Sequence, residues 1–336
     1  MTLPFDPSSM TMTEIIRLQT ELSKELARRF ERVAALAFTD IVGSSAHFAQ
    51  FGDEAGRRLQ QLHFDLLEQS IATGTGANLG RIVDTAGDGA FVCFASAGAA
   101  VQAMVALQNG ITRENVNRPR MYQLSVRVGL HWGPVLTDGV QVTGDAVNLC
   151  ARLVATAQPG EIRLSRDLFQ ELGPHLRRLC RALGQVNLRG ITRSVELLSL
   201  LWRDPARFPN QVVIRESGER ILLPAQDTMC FGRGETLDMS NANDVPLTLP
   251  DTLAAKQVSR RHFELRARPE GYVLKALTSQ PTEVDGVTLE REQEVPIRPG
   301  SCVKLAGVMT LDFISPSLAD EGSIDETVLL SPRPTP

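Results

Sequence analysis

Two aspartates in this chain stand where apolar strands end: Asp40 in FTDIVGSS and Asp88 in TAGDGAFVCF. A carboxylate buried at a strand end without a partner is costly, so Asp40 either caps the strand or meets solvent, or else it faces a cation. Hard divalent ions take carboxylate, carbonyl and water oxygens. A pair of them about 3.5–4 Å apart neutralises the charge that develops when a phosphoryl group moves. Asp88 lies in a Gly-Asp-Gly turn, where turn chemistry alone also accounts for an aspartate. Further on, TGDAVNLCARL sets Asn148 and Arg152 at i and i+4, on one helix face. An amide and a guanidinium side by side suit the orientation of a ribose and the charge of a pentavalent phosphate. An exposed helix with a cap at Asp145 would also place them there. The three segments together read as a nucleotide site for phosphoryl chemistry.

The elements that must position these groups alternate. Residues 12–32 form an amphipathic helix with Ile15, Leu18, Leu22, Leu26 and Phe30 on one stripe, expected to pack on the core; pairing with a second copy is the alternative. The strand VAALAFTD follows, then a helix over about 53–71, a hairpin RIVDTAGDGAFVCF turning at Gly87 and Gly89, a small-residue helix SAGAAVQAMVALQNG and the strand LSVRVGLHWG. This helix-strand-strand-helix-strand order, with antiparallel elements, predicts a ferredoxin-like α+β layer rather than a doubly wound sheet. The pattern breaks in WRDPARFPN (202–210), which reads as a linker or domain seam. Beyond it the helices vanish and short strands recur between turns, the pattern of an all-β sandwich. The tail from Pro316 has no periodicity and reads as disordered. The expected boundaries are therefore 1–32 for the helix, 33–201 and 211–315 for two domains, and 316–336 for the tail.

Composition excludes several classes. The 336 residues suffice for two cores, and a net charge of −4 without Lys/Arg runs argues against a nucleic-acid partner. Five scattered cysteines without CxxC spacing disfavour disulfides and zinc, and read as core-filling residues in a reducing compartment. No stretch reaches the roughly 20 apolar residues that span a bilayer, and no signal peptide is visible, so a soluble cytoplasmic protein is expected.

FTDIVGSS, TAGDGAFVCF and TGDAVNLCARL, in this order and spacing, resemble the class III adenylyl/guanylyl cyclase catalytic domain over residues 33–201. The resemblance implies a metal-binding pair in Asp40 and Asp88, with the Ile41 carbonyl as a further ligand and two Mg²⁺ or Mn²⁺ ions per site. It implies transition-state roles for Asn148 and Arg152, and a triphosphate contact for Arg189 in VNLRGIT, where the family usually has Lys. It also implies a homodimer in which the metal acids of one protomer face the Asn and Arg of its partner. The product would be a 3′,5′-cyclic nucleotide, with pyrophosphate released. The base-reading positions depart from the family: Asp84 stands where adenylyl members have Lys and guanylyl members Glu, and Gln141 where adenylyl members have Asp or Thr. A carboxylate and an amide can serve guanine or, with roles exchanged, adenine. ATP is the first expectation and GTP the second. The departures equally allow a weakly active or inactive scaffold that binds nucleotide. A diguanylate-type cyclase is disfavoured, because the turn reads AGDGAF and no GGDEF-like run occurs.

The later motifs CFGRGE, VSRRHFEL and TSQPTEVDG resemble the forkhead-associated (FHA) domain over about 211–315. By that resemblance Arg233, Ser259 and Arg260 contact phosphothreonine, as do Thr278 and Gln280 in a loop that departs from the family's Ser-x-Asn-Gly-Thr. His262 is structural. Guanidinium and hydroxyl donors on rigid loops suit a dianionic phosphate. Arg261 reads as a solvated charge. The expected partner is a phosphothreonine protein, or this chain's own tail, where IDETVLL places Thr327 behind two acids.

Overall fold

The computed structural model describes residues 10–74, 80–234 and 243–315; the tail and Thr327 lie outside the described residues. The first half runs α1 (Met12–Phe30), β1 (Glu31–Ile41), α2 (Ser44–Gly74), β2 (Gly80–Ala86), β3 (Gly89–Phe94), α3 (Ala97–Asn115), β4 (Val126–Thr137), β5 (Val142–Thr143), α4 (Asp145–Val154), β6 (Ile162–Ser165), α5 (Arg166–Glu171), α6 (Pro174–Arg177), β7 (Cys180–Val186) and β8 (Val195–Leu200). One sheet has the order β2-β3-β1-β4-β6-β8-β7, with β5 on β4 and only the β4–β6 pair parallel among these neighbours. Its first four strands with α2 and α3 are the expected ferredoxin-like α+β layer. Residues alternate along β1: Ala35, Ala37 and Ile41 enter the main core under α2 and α3, whereas Ala34 and Leu36 enter a smaller cluster under α4.

Helix α1 departs from the expectation of core packing. A capping box at Thr11 and Glu14 starts it, yet none of its residues is buried. Ile15, Ile16, Leu22, Leu26 and Phe30 are all exposed. The stripe that suggested a core contact runs instead along a helix reaching away from the sheet, because Phe30 passes straight into β1. Helix α2 begins earlier than expected, at Ser44, and carries a break at Gly52 where φ is +83°.

The second half continues with β9 (Gln211–Ile214), β10 (Arg220–Leu222), β11 (Thr228–Arg233), β12 (Val245–Leu247), α7 (Thr252–Ala255), β13 (Phe263–Arg268), β14 (Gly271–Ala276), β15 (Thr282–Val284), β16 (Val287–Leu289), β17 (Glu294–Ile297), β18 (Cys302–Leu305) and β19 (Met309–Ile314). Two sheets, β10-β9-β19-β18-β15-β16 and β12-β11-β13-β14-β17, enclose a second core in which Phe231 stacks on Phe263 at 4.5 Å. Residues 202–210 pack as a seam: Trp202 adds to the first core and Phe208 to the second. All five cysteines are free thiols, and Cys150 and Cys230 are buried as core-filling residues should be. Among the described residues no helix is long and apolar enough to cross a membrane.

His262 is fully buried, as a structural histidine should be. Its Nδ1 accepts from the Ser259 N–H at 3.1 Å, which leaves Nε2 to donate to Thr282 Oγ1 at 3.1 Å. A second proton on Nδ1 would face that N–H, and burial pushes the imidazole down from 6.5 to about 4. The unfolded chain therefore takes up the proton first, so this contribution to stability is complete above about 6.5 and is lost as pH falls towards 4. Acidification from pH 7 to 5 should cost on the order of 1–2 kcal/mol from this one group. Thermal melts of His262→Asn and the parent at the two pH values check it: the variant should show the smaller pH-dependent drop.

Candidate active site

Strand β1 pairs with β4 along its whole length, setting Asp40 opposite Arg127 and Ile41 opposite Val126. Its pairing with β3 stops earlier, at Thr39 opposite Ala90. The register continued by two residues would bring Asp88 opposite Ile41. The Val42 N–H donates to the Ser125 carbonyl of the β4 side at 2.8 Å. Backbone groups alternate sides along an antiparallel strand, so the Ile41 carbonyl points the other way, towards the hairpin that carries Asp88. Alternation likewise sends the Asp40 side chain to the α4 face, beyond Phe38, which stacks on Phe91 at 4.6 Å.

The Asp40 carboxyl stays raised even with a guanidinium beside it. Burial pushes its carboxyl up, the Arg127 guanidinium holds it down, and the Asp88 charge raises it again. Arg127 Nε donates to Asp40 Oδ2 at 2.7 Å, both side chains being 28% exposed. Arg127 escaped the sequence reading, since nothing in VRVGL marks a partner so distant along the chain. Two neighbouring carboxylates and a main-chain carbonyl form an all-oxygen donor set, which fits a hard divalent ion completed by water and substrate oxygens. Among the described residues no group of three or more His, Cys, Asp or Glu could hold a metal. The described side chains alone therefore make no metal cage, and water or a bound ligand would have to complete one here. Behind the site, His63 of α2 is fully buried, no partner among the described residues lies at good hydrogen-bond geometry to its ring, and burial pushes it down to about 4 against the pull of the Asp88 backbone and charge. It too went unnoticed in the sequence, where it reads as one helix position among several.

Helix α4 lies across the same sheet face, and glycine allows it to. A Cβ on Gly129 would meet the Val154 nitrogen at 2.6 Å. Leu149 and Leu153 face inward, into a cluster with Leu188, Val195 and Leu197 of the β7–β8 hairpin. That arrangement leaves Asn148 and Arg152 exposed on the outer side, one turn apart. Neither side chain has a hydrogen bond or ion pair among the described residues. Arg189 follows Leu188 directly and is also exposed, so the same small core positions all three groups.

The base-reading candidates share that face. A bulge between Ile82 and Asp84 places Asp84 opposite Phe91, and Arg81 opposite Cys93, two positions of β3 with the same orientation. Arg81 Nη1 donates to the Val140 carbonyl at 2.9 Å, tying β2 to the β4–β5 turn that carries Gln141. The Asp138 carboxylate shapes that turn by accepting the Val140 and Gln141 N–H groups, at 2.9 and 2.8 Å. Asp84 and Gln141 themselves are exposed.

In the second domain, β11 can pass the Ser259–Arg261 segment only because residue 232 is glycine: a Cβ there would meet the Arg260 carbonyl oxygen at 2.0 Å. The Arg233 N–H donates to the Ser259 carbonyl at 3.0 Å, and its Nη1 to the Lys256 carbonyl at 3.1 Å. Ser259 Oγ and Thr278 Oγ1 are 2.9 Å apart, and the Gln280 N–H donates to Thr278 Oγ1 at 3.1 Å. Arg233, Ser259, Thr278 and the Gln280 backbone thus meet at one end of the sandwich, with the Arg260 side chain exposed beside them. Arg261 is not simply solvated, since its Nη2 reaches Cys230 Sγ at 3.0 Å.

Residues 26–200 match the adenylate and guanylate cyclase catalytic domain, and residues 229–306 match the FHA domain. A candidate adenylate cyclase of Rhizobium meliloti (strain 1021) is 28% identical over 191 residues, 57% of this chain and 32% of its own. An adenylate cyclase of Mycosarcoma maydis is 29% identical over 179 residues, 46% of this chain and 7% of its own. The chain thus spans a third or less of the curated relatives it matches. The crystal structure of an adenylate/guanylate cyclase/hydrolase from Silicibacter pomeroyi, 27% identical, covers 52% of this chain and 98% of its own with a TM-score of 0.46. By the match over more than half its length, this chain belongs to the class III adenylyl/guanylyl cyclase family, with an FHA domain following the cyclase domain.

Proposed function

We propose that the chain is a homodimeric nucleotide cyclase that converts ATP, or GTP as second choice, to the 3′,5′-cyclic nucleotide and pyrophosphate, with an FHA domain that localises or regulates it by binding phosphothreonine. The observation that carries this reading is the division of the site. Asp40, although paired with Arg127, keeps a carboxyl pushed up by burial and by Asp88, whereas Asn148, Arg152 and Arg189 are exposed and have no side-chain partner among the described residues. Each half lacks what the other offers, and a second copy apposed head to tail supplies it.

In this reading Asp40, Asp88 and the Ile41 carbonyl of one protomer hold Mg²⁺ or Mn²⁺. When bound, the two ions neutralise triphosphate charge and favour the ribose 3′-oxygen as nucleophile. Asn148 of the partner holds the ribose so that this oxygen lies in line with the α-phosphorus. Arg152 offers its guanidinium to the charge that grows on the equatorial oxygens, and Arg189 steadies the leaving pyrophosphate. Asp84 and Gln141 face the edge of the base. Arg127 keeps Asp40 ionised and aimed before the cation arrives.

Incubating the purified chain with ATP and GTP separately, with Mn²⁺, and identifying products by mass tests the assignment; no cyclic nucleotide from either would leave only the scaffold reading. If Asp84 and Gln141 read the base, Asp84→Lys with Gln141→Asp should move the kcat/KM ratio towards ATP by about tenfold or more, because each re-paired polar contact is worth about 1–2 kcal/mol. An unchanged ratio would remove base reading from these two positions.

A further inference from the structure

The seam between the two domains is built around one carboxylate. Asp227 stands immediately before β11, and its side chain is 10% exposed. Its Oδ1 accepts from Thr112 Oγ1 of α3 at 2.7 Å and from Arg203 Nη2 at 2.6 Å. Its Oδ2 accepts from Asn115 Nδ2, at the end of α3, at 2.7 Å. Arg203 is held in turn against the rings of Trp202, Phe208 and Tyr272, with centroids 4.6 to 5.3 Å from its guanidinium carbon. A buried carboxylate is tolerated only when its lone pairs are taken, and here all the donors come from the cyclase domain and the connecting segment.

Asn115 passes this constraint on. Only 3% exposed, it spends its second Nδ2 hydrogen on the Leu124 carbonyl at 2.7 Å, and its Oδ1 accepts the Leu124 N–H at 2.9 Å. Both amide hydrogens are thus used, and the orientation is settled by these partners. Leu124 leads into Ser125, whose carbonyl accepts the Val42 N–H at 2.8 Å. The next two residues are Val126 opposite Ile41, and Arg127 opposite Asp40 with its guanidinium on that carboxylate. Gln108 of α3 fastens the Val126 carbonyl at 2.9 Å. An unbroken run of short bonds therefore leads from the FHA side of the seam to the strand end bearing the metal candidates. A second seam contact, Arg120 Nη2 to Asp244 Oδ1 at 2.7 Å, lies off this route.

We propose that the FHA domain is a working part of the catalytic site: through Asp227 and Asn115 it positions the paired ends of β1 and β4 that carry Asp40 and Ile41. The metal segment is then fully ordered only while the two domains are docked. Strand β11 gives the device an input, because Asp227 precedes it and Arg233 ends it, roughly 20 Å away at about 3.3 Å per residue. Whatever phosphate-bearing ligand reorients Arg233 pulls on the same strand that holds the seam. Asp227 and Asn115 are positioning residues, acting through Leu124 and Ser125. The inference rests on the assignment of Asp40 and Ile41 to the metal site, but its first test does not need turnover.

Hydrogen exchange of the full-length chain, read at the Val42 amide and over residues 124–128, compares the parent with Asp227→Asn, Asp244→Asn and Thr112→Val. Asp227→Asn should speed exchange at Val42 by about tenfold or more, since that bond opens locally once Asn115 loses its acceptor. Thr112→Val removes one donor to Asp227 and spares Asn115, so it should give a smaller rise, about two- to threefold. It also stands in if Asp227→Asn fails to melt cooperatively. Asp244→Asn, which cuts the seam off the route, should leave Val42 within about twofold of the parent. Titration with Mn²⁺ alone, followed by the electron paramagnetic resonance of the free ion, should show weaker binding by Asp227→Asn than by Asp244→Asn. Unchanged exchange at Val42 in the Asp227 and Thr112 variants overturns the proposal, as does an Asp244→Asn effect equal to that of Asp227→Asn. Exchange is read without nucleotide, so a parent that makes no cyclic nucleotide would count against the cyclase assignment and not against this route.

Discussion

Asp40→Ala in the full-length chain is expected to abolish metal-dependent cyclic-nucleotide formation, and Asp88→Ala to do the same. Losing a partner that merely orients a metal ligand already costs about 10–100-fold, so removing a ligand itself should exceed that. The fold should survive both changes. Asp40 is half-buried and its pair with Arg127 is partly solvated, so breaking it removes a modest interaction, about 1 kcal/mol. The loss is also offset, because burial disfavours the ionised Asp40 that the alanine replaces. Initial rates over a Mn²⁺ series, alongside a thermal melt, separate the two effects. Turnover that persists in either variant would falsify the metal assignment.

Mixing two inactive chains should restore activity. On the proposed reading Arg152→Ala removes a guanidinium offered to the transition state, and it is expected to lower kcat by about 10²–10³-fold with little change in KM, as loss of a donor made only in the transition state does. In a head-to-tail dimer, an Asp40→Ala protomer still provides Asn148, Arg152 and Arg189, while an Arg152→Ala protomer still provides Asp40 and Asp88. Co-expressed in equal amounts and allowed to pair at random, they form mixed dimers half the time, each with one intact site of two, so about a quarter of the parent activity should return. A site assembled within one chain predicts no recovery at all. The exposure of Arg152 on α4 keeps its half of the experiment clean, because that substitution disturbs no packed side chain.

Much of the architecture was legible before any coordinates. The period-2 and 3.6-residue patterns that predict strands and helices are set by local sterics and by which face is apolar, and these are written into neighbouring residues. The ferredoxin-like layer and the β-sandwich followed from them. Helix α1 shows where such reasoning stops: an apolar stripe states that a face needs covering and leaves open what covers it. In this fold the direct passage of Phe30 into β1 keeps the helix off both cores. Residues 202–210 show the same limit. Prolines signal a break in periodicity, yet Trp202 and Phe208 still pack, one against each core.

For the site itself, the sequence by its own chemistry determined which residue types were at hand: two acids at strand ends, an amide and a guanidinium one turn apart, and hydroxyl and guanidinium donors in the later loops. Their arrangement was decided only by tertiary structure. The Asp40–Arg127 pair, the bulge that turns Asp84 and Arg81 to one face, the burial of His63 behind Asp88, and the Asp227–Asn115 bond between domains all join residues far apart in the chain. Such contacts depend on strand register and helix docking, which are settled by the packing of the whole core rather than by any short run of residues.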